Sequence, residues 1–285
     1  MASIPVYLIG THQEEIVNYQ KLLQTAIEAA LAAGEKILEV YGSEDFDLTL
    51  KEDDSPLTRA DVISQQTITD TLATGSDFPL LGEEGREIPF AERSAWETFW
   101  LVDPLDGTKE FVKRNGEFTV NIALIAKGRP VLGVLYVPVK DVLYYGFSGG
   151  GAFRVDGATG MALASVTTAA AKLPDTIGRV VPPVRVVASR SHFSAETAAF
   201  VEDIESKHGT VDLLNAGSAL KICLVAEGRA DIYPRLAPTM EWDVGAGQII
   251  AEEAGCTVVQ AESGKPLLYN KENLVNPHFI VTRPF

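Results

Sequence analysis

The chain has 285 residues, 46% of them hydrophobic, and a formal net charge of −15. This composition suits a globular protein with a substantial core, in about two domains or one large one. So acidic a chain is not expected to bind nucleic acid, because DNA would repel most of its surface. The sequence has neither a signal peptide pattern nor an apolar run of the roughly 18 residues that span a bilayer. We therefore expect a cytoplasmic protein with no membrane span, while peripheral membrane association stays open.

The first half of the chain reads as helices followed by strands. Apolar residues recur at three-, four- and seven-residue spacings over 12–41, which predicts an amphipathic helix. A short strand over 48–51, a turn and a second helix over 58–73 are expected next. Further strands are predicted over 98–102, 118–126, 131–137, 142–147 and 152–155. Their short connections favour an antiparallel sheet.

The composition shifts to Ala, Thr, Gly and Pro between about residues 157 and 183, which marks a candidate domain boundary. Beyond it, predicted strands alternate with helices in the pattern of an α/β unit. The strands are expected over 184–188, 230–234 and 256–259, and the helices over 195–207, 217–227 and 242–254. We predict an α+β domain over 1–157 and an α/β domain over 158–285. The two cysteines, Cys223 and Cys256, lie in apolar stretches and are expected to be buried thiols.

The most informative segment is 103–108, where an apolar strand leads into Asp-Pro-Leu-Asp-Gly-Thr. Pro104 disfavours helix at the residue before it and predicts a turn. Such a turn could aim both carboxylates and the leucine carbonyl at one point. Gly107 and Thr108 would then present backbone N–H groups at a helix N-terminus, where a phosphate can bind. For this segment alone, an ordinary Asp-Gly turn is an equally good interpretation.

Three other segments place carboxylates at the ends of predicted elements: Asp61 near a helix start, Glu83 after an apolar segment, and Asp243 at another helix start. Each alone is typical of a helix cap or a solvated turn. Together, carboxylates and a carbonyl without His or Cys favour Mg²⁺ or Mn²⁺ over Zn²⁺. Hard cations held by carboxylates commonly hydrolyse phosphate esters. A covalent aspartyl-phosphate mechanism of the haloacid-dehalogenase type is disfavoured, because Pro104 stands where its nucleophilic Asp would lie two residues before Asp106.

The Gly-Glu-Glu segment with Glu83, the segment 103–108 and the pair Trp242-Asp243, in this order, resemble the inositol monophosphatase superfamily over about residues 20–270. Other segments are similar to the bisphosphate nucleotidase branch of that superfamily. These are Ser55–Asp61, Lys109–Phe118, Ser189–His192 and Gly217–Lys221. One departure is Val-Gly-Ala-Gly at 244–247, where the superfamily tends to have alanines, and we expect it to loosen helix packing. The resemblance implies a layered αβαβα sandwich of the inositol monophosphatase and fructose-1,6-bisphosphatase type.

The resemblance also implies an activity and a set of site residues. The expected reaction is Mg²⁺-dependent and lithium-sensitive hydrolysis of adenosine 3′,5′-bisphosphate (PAP) to AMP by metal-activated water. 3′-Phosphoadenosine 5′-phosphosulfate (PAPS) would be a second substrate, giving adenosine 5′-phosphosulfate (APS). Two or three Mg²⁺ ions, with Mn²⁺ as a substitute, would be held by Glu83, Asp103, the Leu105 carbonyl, Asp106 and Asp243. The implied catalytic residues are Asp61 and Thr108, with Glu83 as an alternative base. The implied substrate contacts are Gly107, Thr108, Ser189, His192, Ser218, Lys221 and Arg235.

Two alternatives stay open at this point. The first is an enzyme of the same superfamily that acts on inositol phosphate or another sugar phosphate. The second is a metal- or nucleotide-binding module without turnover, which the complete set of expected ligands disfavours. The expected partner is a small-molecule nucleotide, and the protein would be a monomer or a homodimer.

Overall fold

The computed structural model describes residues 19–43, 48–50, 56–174, 178, 180–189 and 193–284. Within these residues the chain forms eight α-helices and fourteen strands, with one 3₁₀ turn at Pro138–Lys140. The helices are α1 (Tyr19–Tyr41), α2 (Arg59–Ala73), α3 (Phe90–Arg93), α4 (Thr108–Val112), α5 (Leu163–Ala169), α6 (Ala195–His208), α7 (Leu220–Ala226) and α8 (Glu241–Glu253). The strands are β1 (Thr49–Leu50), β2 (Pro56–Leu57), β3 (Leu80–Gly82), β4 (Thr98–Asp106), β5 (Thr119–Ala126), β6 (Arg129–Val137), β7 (Val142–Phe147), β8 (Gly151–Asp156), β9 (Ala171–Lys172), β10 (Val184–Ala188), β11 (Val211–Asn215), β12 (Ile232–Arg235), β13 (Thr257–Gln260) and β14 (Phe279–Thr282).

The long, strongly patterned elements agree with the sequence predictions. Strands β7 and β10 have the predicted ends, and α2 starts directly after its cap residue Thr58. The first predicted helix is present from Tyr19, and its predicted residues 12–18 lie outside the described part of the chain. The elements that the sequence analysis did not predict are short, apart from β11 and α5. These elements are β2, β3, α3, α5, β9, β11 and β14.

The turn predicted at Pro104 is wrong, because β4 continues through this proline to Asp106. The pairing with β5 shifts register here: Asp103 lies opposite Asn121 and Asp106 lies opposite Thr119. The strand therefore carries one extra residue, which is a β-bulge. A bulge accommodates a proline that cannot donate to the ladder, and it redirects the side chains that follow.

The larger sheet has seven strands in the order β3-β4-β5-β6-β7-β8-β9, and only the β3–β4 pair is parallel. Both faces of this sheet are covered. Along β4, Trp100 and Val102 pack with α1 and α2 on one face, whereas Leu101 packs with α7 and α8 on the other. Because side chains alternate along a strand, Asp103 follows Leu101 onto the face of α7 and α8.

The smaller sheet has five strands in the order β11-β10-β12-β14-β13. Val187 of β10 joins the same core cluster as α7 and α8, whereas Val184 and Val186 pack against Ile204 of α6 on the outer face. The layers are thus α1 and α2, the seven-stranded sheet, α7 and α8, the five-stranded sheet, and α6. This αβαβα order confirms the predicted fold. Strand β9 still pairs with β8, and the division into two domains near residue 157 stays a prediction.

The expectation that the glycines in α8 loosen its packing is wrong, because they bring this helix close to the larger sheet. A Cβ at Gly245 would lie 3.1 Å from the Leu101 side chain. On the sheet side, a Cβ at Gly133 of β6 would lie 2.5 Å from the Ala246 carbonyl oxygen. Small residues on both surfaces therefore set the separation between helix and sheet.

Two further observations concern the sequence predictions. Cys223 and Cys256 are free, buried thiols, as predicted. None of the helices in the described part of the chain combines the length and the apolar character that a membrane span requires.

Gly133→Ala is expected to destabilise the protein by about 1–3 kcal/mol, because the added methyl group would force α8 away from the sheet. The matched control is Gly42→Ala, where the nearest atom to a new Cβ is the Leu38 carbonyl oxygen at 3.5 Å. That control should change the free energy of unfolding by less than about 0.5 kcal/mol. Urea denaturation of both variants measures the difference, and equal values would contradict the close-approach argument.

Candidate active site

One cavity of about 370 Å³ gathers eleven of the residues that the sequence analysis selected. They are Glu83, Asp103, Leu105, Asp106, Gly107, Thr108, Ser189, Ser218, Lys221, Arg235 and Asp243. The cavity lies where β3, β4, β10 and β12 end and where α4, α7 and α8 begin. Asp61 is buried directly behind Thr108. His192 lies outside the described residues, so its place near the nucleotide stays a prediction.

The carboxylates in this cavity repel one another. Burial raises the pKa of Asp103 well above its usual range, and the charges of Glu83, Asp106 and Asp243 raise it further. Burial also raises the pKa of Asp106 to about 6, although Lys221 and a backbone N–H oppose this rise. Asp243 has a raised pKa for the same reasons, burial first and the charge of Asp106 second. The surrounding protein therefore stabilises the ionised form of these three carboxylates less than water does.

Each aspartate of the cluster accepts a backbone hydrogen bond. Asp103 accepts from the Leu105 N–H at 3.0 Å, Asp106 from the Ala219 N–H at 2.5 Å, and Asp243 from the Met240 N–H at 2.9 Å. These bonds fix the side chains to the ends of three different elements. Among the residues that the structure describes, no three acidic, histidine or cysteine side chains are already arranged as metal ligands.

The donor set nevertheless fits a hard divalent cation. All the candidate ligands are oxygens: the carboxylates of Glu83, Asp103, Asp106 and Asp243, and the carbonyl of Leu105, which all line the cavity. Mg²⁺ and Mn²⁺ prefer carboxylate and carbonyl oxygens, whereas softer metals prefer imidazole or thiolate. A cation would also offset the burial and the repulsion that together raise the pKa values of the three aspartates.

Thr108 and Asp61 form a hydrogen-bonded pair at one edge of the cavity. The Thr108 hydroxyl donates to Oδ1 of Asp61 at 3.2 Å. The other oxygen of Asp61 accepts from the N–H of Thr58 at 2.7 Å and from its hydroxyl at 2.6 Å. Asp61 is thus held as the third residue of α2 in a capping box. Because the Thr108 proton points to Asp61, the lone pairs of the Thr108 oxygen can accept a hydrogen bond from another donor.

Gly107 and Ser218 meet at the junction between the two sheets. Gly107 has a φ of 96°, and a Cβ here would lie 2.2 Å from the Ser218 oxygen, so that this position requires glycine. The Ser218 hydroxyl lies 2.8 Å from the Asp106 carbonyl oxygen and 2.7 Å from that of Glu117. The Ser218 hydroxyl therefore donates its proton to these backbone carbonyls, and in this arrangement the proton is not available to a phosphate.

Lys221 provides positive charge in the cavity. Its side chain is buried, and its Nζ donates to the Ser218 carbonyl oxygen at 2.6 Å and lies 5.5 Å from the centre of the Tyr233 ring. Burial lowers the pKa of Lys221 to about 8, and the charge of Asp106 opposes this shift. The amine therefore stays mostly charged near pH 7, and an anionic ligand beside it would favour its charged form further.

Arg235 and Tyr233 lie beside Lys221 on the same cavity wall. Arg235 donates from Nη2 to the Pro238 carbonyl oxygen at 2.8 Å, while its Nε is buried without a hydrogen-bond partner in the described part of the chain. Tyr233 was not selected by the sequence analysis. Burial raises its pKa to about 12, so that it stays a neutral phenol. Alternation along β12 could have identified it, because residues two apart in a strand share a face.

Thr119 and Asn121 of β5 lie beneath the acidic cluster and were also not selected. The Thr119 hydroxyl donates to the Asn121 amide oxygen at 3.0 Å and lies 3.5 Å from Oδ2 of Asp106. The amide nitrogen of Asn121 is buried and makes no hydrogen bond within the described residues. Because Asn121 pairs with Asp103 across the two strands, its amide lies on the same face as that carboxylate.

Comparison with known proteins agrees with this geometry. The sequence model of the inositol monophosphatase family matches residues 18–282. The chain belongs to the inositol monophosphatase family. The family match covers nearly the whole described part of the chain, including every residue of the cavity.

Individual relatives lie close within this family. The chain is 43% identical to the 3′(2′),5′-bisphosphate nucleotidase CysQ of Salmonella typhimurium over 92% of its own length and 99% of the relative. It is 48% identical to the crystal structure of CysQ from Bacteroides thetaiotaomicron, with a TM-score of 0.84, covering 94% of this chain and 99% of the other. An inositol monophosphatase from Anabaena is 26% identical, with a TM-score of 0.67, covering 94% and 92%.

The burial of Asp106, together with the charges of neighbouring carboxylates, predicts a pH-dependent stability of the metal-free protein. A raised pKa in the folded state means that the stability linked to protonated Asp106 is present below about pH 4 and is lost as the pH rises through about 6. Asp106→Asn removes this dependence, because an amide does not ionise. We expect the variant to gain ~2 kcal/mol over the wild type between about pH 4.5 and pH 7.

Urea denaturation in a chelating buffer at both pH values measures this gain. The control is Asp203→Asn, an exposed carboxylate that pairs with Lys207 on α6, and this variant should show no comparable change. The Asp106→Asn protein should also lose catalytic activity. A variant that loses stability equally at both pH values would show instead that Asp106 has a structural role.

Proposed function

We propose that this protein is a 3′(2′),5′-bisphosphate nucleotidase that hydrolyses the 3′-phosphate of PAP to give AMP. The observation that carries this proposal is the presence of Lys221 and Arg235 in the same cavity as the acidic cluster. A monophosphate ester needs one phosphate site, whereas a bisphosphate needs cations for its second phosphate as well. The name and identity of the CysQ relatives support the same substrate class.

Enzymes of this family are metal-dependent phosphatases, generally with Mg²⁺. Bound cations would supply charge neutralisation and a water of lowered pKa, as metal ions do in phosphate-ester hydrolysis. In this chain Glu83, Asp103, Asp106, Asp243 and the Leu105 carbonyl would hold two or three such ions, with Mn²⁺ as a substitute.

The chain's own residues would then orient and deprotonate the attacking water. Because Thr108 donates its proton to Asp61, its oxygen is free to accept a hydrogen bond from water and to orient it. The buried carboxylate of Asp61 is held by Thr58 and can receive the displaced proton through Thr108. Glu83 is the alternative base. The backbone N–H groups of Gly107 and Thr108 would bind the oxygens of the reacting phosphate.

Lys221 and Arg235 would bind the phosphate that does not react. A phosphate beside Lys221 would raise the pKa of this amine from about 8 and keep it charged, which couples binding to protonation. Ser189 at the end of β10, together with His192, would lie near the nucleoside. The Ser218 hydroxyl would join β4 to α7 and thereby position Lys221. PAPS would bind in the same way and yield APS, which would place the enzyme in sulfur metabolism. The cytoplasm as its location, and a monomer or homodimer as its assembly, stay predictions.

The substrate is tested by phosphate release from PAP and from inositol 1-phosphate with Mg²⁺, each with and without Li⁺. We expect kcat/KM for PAP to exceed that for inositol 1-phosphate by about 10-fold or more, because the second phosphate gains ionic hydrogen bonds. Li⁺ should inhibit. The inactive Asp106→Asn variant, purified identically, controls for contaminating phosphatases. A preference for inositol 1-phosphate would favour the sugar-phosphate alternative, and Mg²⁺ binding without any turnover would favour a binding module.

The second-phosphate site is tested by Lys221→Met, which keeps most of the apolar stem and removes the amine. We expect kcat/KM for PAP to fall by about 10- to 100-fold, the equivalent of one charged hydrogen bond, and that for inositol 1-phosphate to change by less than about 3-fold. The control Lys207→Met on exposed α6 should change neither. Equal losses on both substrates would contradict the assignment of Lys221 to the second phosphate.

A further inference from the structure

A buried polar network connects the segment that carries Glu83 to the start of α8, which carries Asp243. These two members of the acidic cluster lie far apart in the chain. We propose that Arg93 and Glu241 are positioning residues that hold Asp243 at a set distance from Glu83 and thereby determine the metal affinity of the site. Both residues act on the loop 270–276, which lies between them. The inference rests on the proposed function insofar as the acidic cluster is the metal site.

Glu241 holds this loop by accepting hydrogen bonds from the loop's backbone N–H groups. It is the first residue of α8, two residues before Asp243, and it is fully buried at 0% exposure. One carboxylate oxygen accepts the N–H of Asn270 at 2.7 Å. The other accepts the N–H of Lys271 at 3.0 Å and its Nζ at 2.5 Å. Glu241 is not among the residues that line the cavity, so it acts on the site through the start of α8 and not as a ligand.

Arg93 holds the same loop by donating hydrogen bonds to the loop's carbonyl oxygens. It is 3% exposed and donates to the carbonyl of Lys271 at 2.7 Å, to that of Glu272 at 2.9 Å and to the amide oxygen of Asn270 at 2.9 Å. Its Nε donates to the carbonyl of Ile88 at 3.3 Å. Ile88 ends the short segment that begins at Glu83. Arg93 therefore joins the loop to the segment that carries this carboxylate.

The loop also holds the cap of α8. Asn276 donates from its side chain to the Met240 carbonyl at 2.8 Å and from its N–H to the Thr239 carbonyl at 2.8 Å. The N–H of Met240 in turn donates to the carboxylate of Asp243. The position of Asp243 thus depends on the loop 270–276, which Arg93 ties to the segment of Glu83. Directional hydrogen bonds restrict this placement more closely than apolar contacts of similar volume would.

The test compares metal affinity with stability in three variants. Glu241→Gln keeps the size of the side chain but loses one acceptor and the charge opposite Lys271. We expect the Kd for Mn²⁺, measured by calorimetry without substrate, to rise by about 10-fold or more, as when hydrogen bonds behind metal ligands are removed. The Mg²⁺ concentration for half-maximal PAP hydrolysis should rise in parallel. The KM for PAP at saturating Mg²⁺ should change by less than about 3-fold.

The matched control is Asp231→Asn, which likewise replaces a buried carboxylate by an amide. Asp231 pairs with Arg185 at 2.7 Å and Arg283 at 3.0 Å, away from the cavity. It should lower Tm but leave the Kd for Mn²⁺ unchanged. If Glu241→Gln lowers Tm and likewise leaves that Kd unchanged, the network only anchors a loop and the inference is overturned. Lys271→Met, which leaves both backbone N–H donors to Glu241, gives a milder version of the test if Glu241→Gln does not fold.

The same measurements separate this inference from the proposed function. A wild-type protein that hydrolyses PAP while its variants keep their Mn²⁺ affinity would overturn the positioning role alone. A wild-type protein that binds Mn²⁺ and loses affinity in Glu241→Gln, yet does not hydrolyse PAP, would support the positioning role and reject the substrate. A wild-type protein that binds no Mn²⁺ would overturn the inference.

Discussion

Mutual repulsion among buried carboxylates is the constraint on which the arrangement of this cavity depends. Asp103, Asp106 and Asp243 each have a raised pKa because burial and neighbouring charges disfavour ionisation. Backbone N–H groups hold each side chain in place but do not balance the charge. The acidic cluster therefore favours the binding of cations. Lys221 provides one positive charge beside Asp106, and a divalent metal would provide the remainder.

The layers of the fold bring these charges together without placing them on one continuous element. The seven-stranded sheet carries Asp103 and Asp106, and Glu83 directly follows its strand β3, whereas Asp243 belongs to the middle layer of helices. The separation of these two layers is set by close contacts at glycines, as at Gly133. A small displacement of α8 would thus change the distances between carboxylates. The buried network of Arg93 and Glu241 acts on the same helix from its N-terminal end.

The division of charge within the cavity links the fold to the proposed substrate. An acidic cluster alone suits any metal-dependent hydrolysis of a phosphate ester, which agrees with the membership of the chain in the inositol monophosphatase family. Lys221 comes from α7, and Tyr233 and Arg235 come from the five-stranded sheet. In the proposed function, this part of the fold would bind the second phosphate. Ser218 joins both parts, because its hydroxyl lies between the carbonyls of Asp106 and Glu117.

The sequence by itself determined the long helices and strands, the buried cysteines, the family and eleven of the residues that line the cavity. The helices and strands follow from hydrophobic periodicity, and the metal site follows from carboxylates at predicted element ends. The family and the remaining site residues follow from the resemblance of the motifs. Tertiary structure alone decided that β4 passes Pro104 as a bulge, that the glycines of α8 tighten its packing, and that the Ser218 hydroxyl serves backbone carbonyls. It also decided that Arg93 meets Asn270, 177 positions away in the chain. Such contacts depend on which elements become neighbours in space, and no local spacing of residues encodes that.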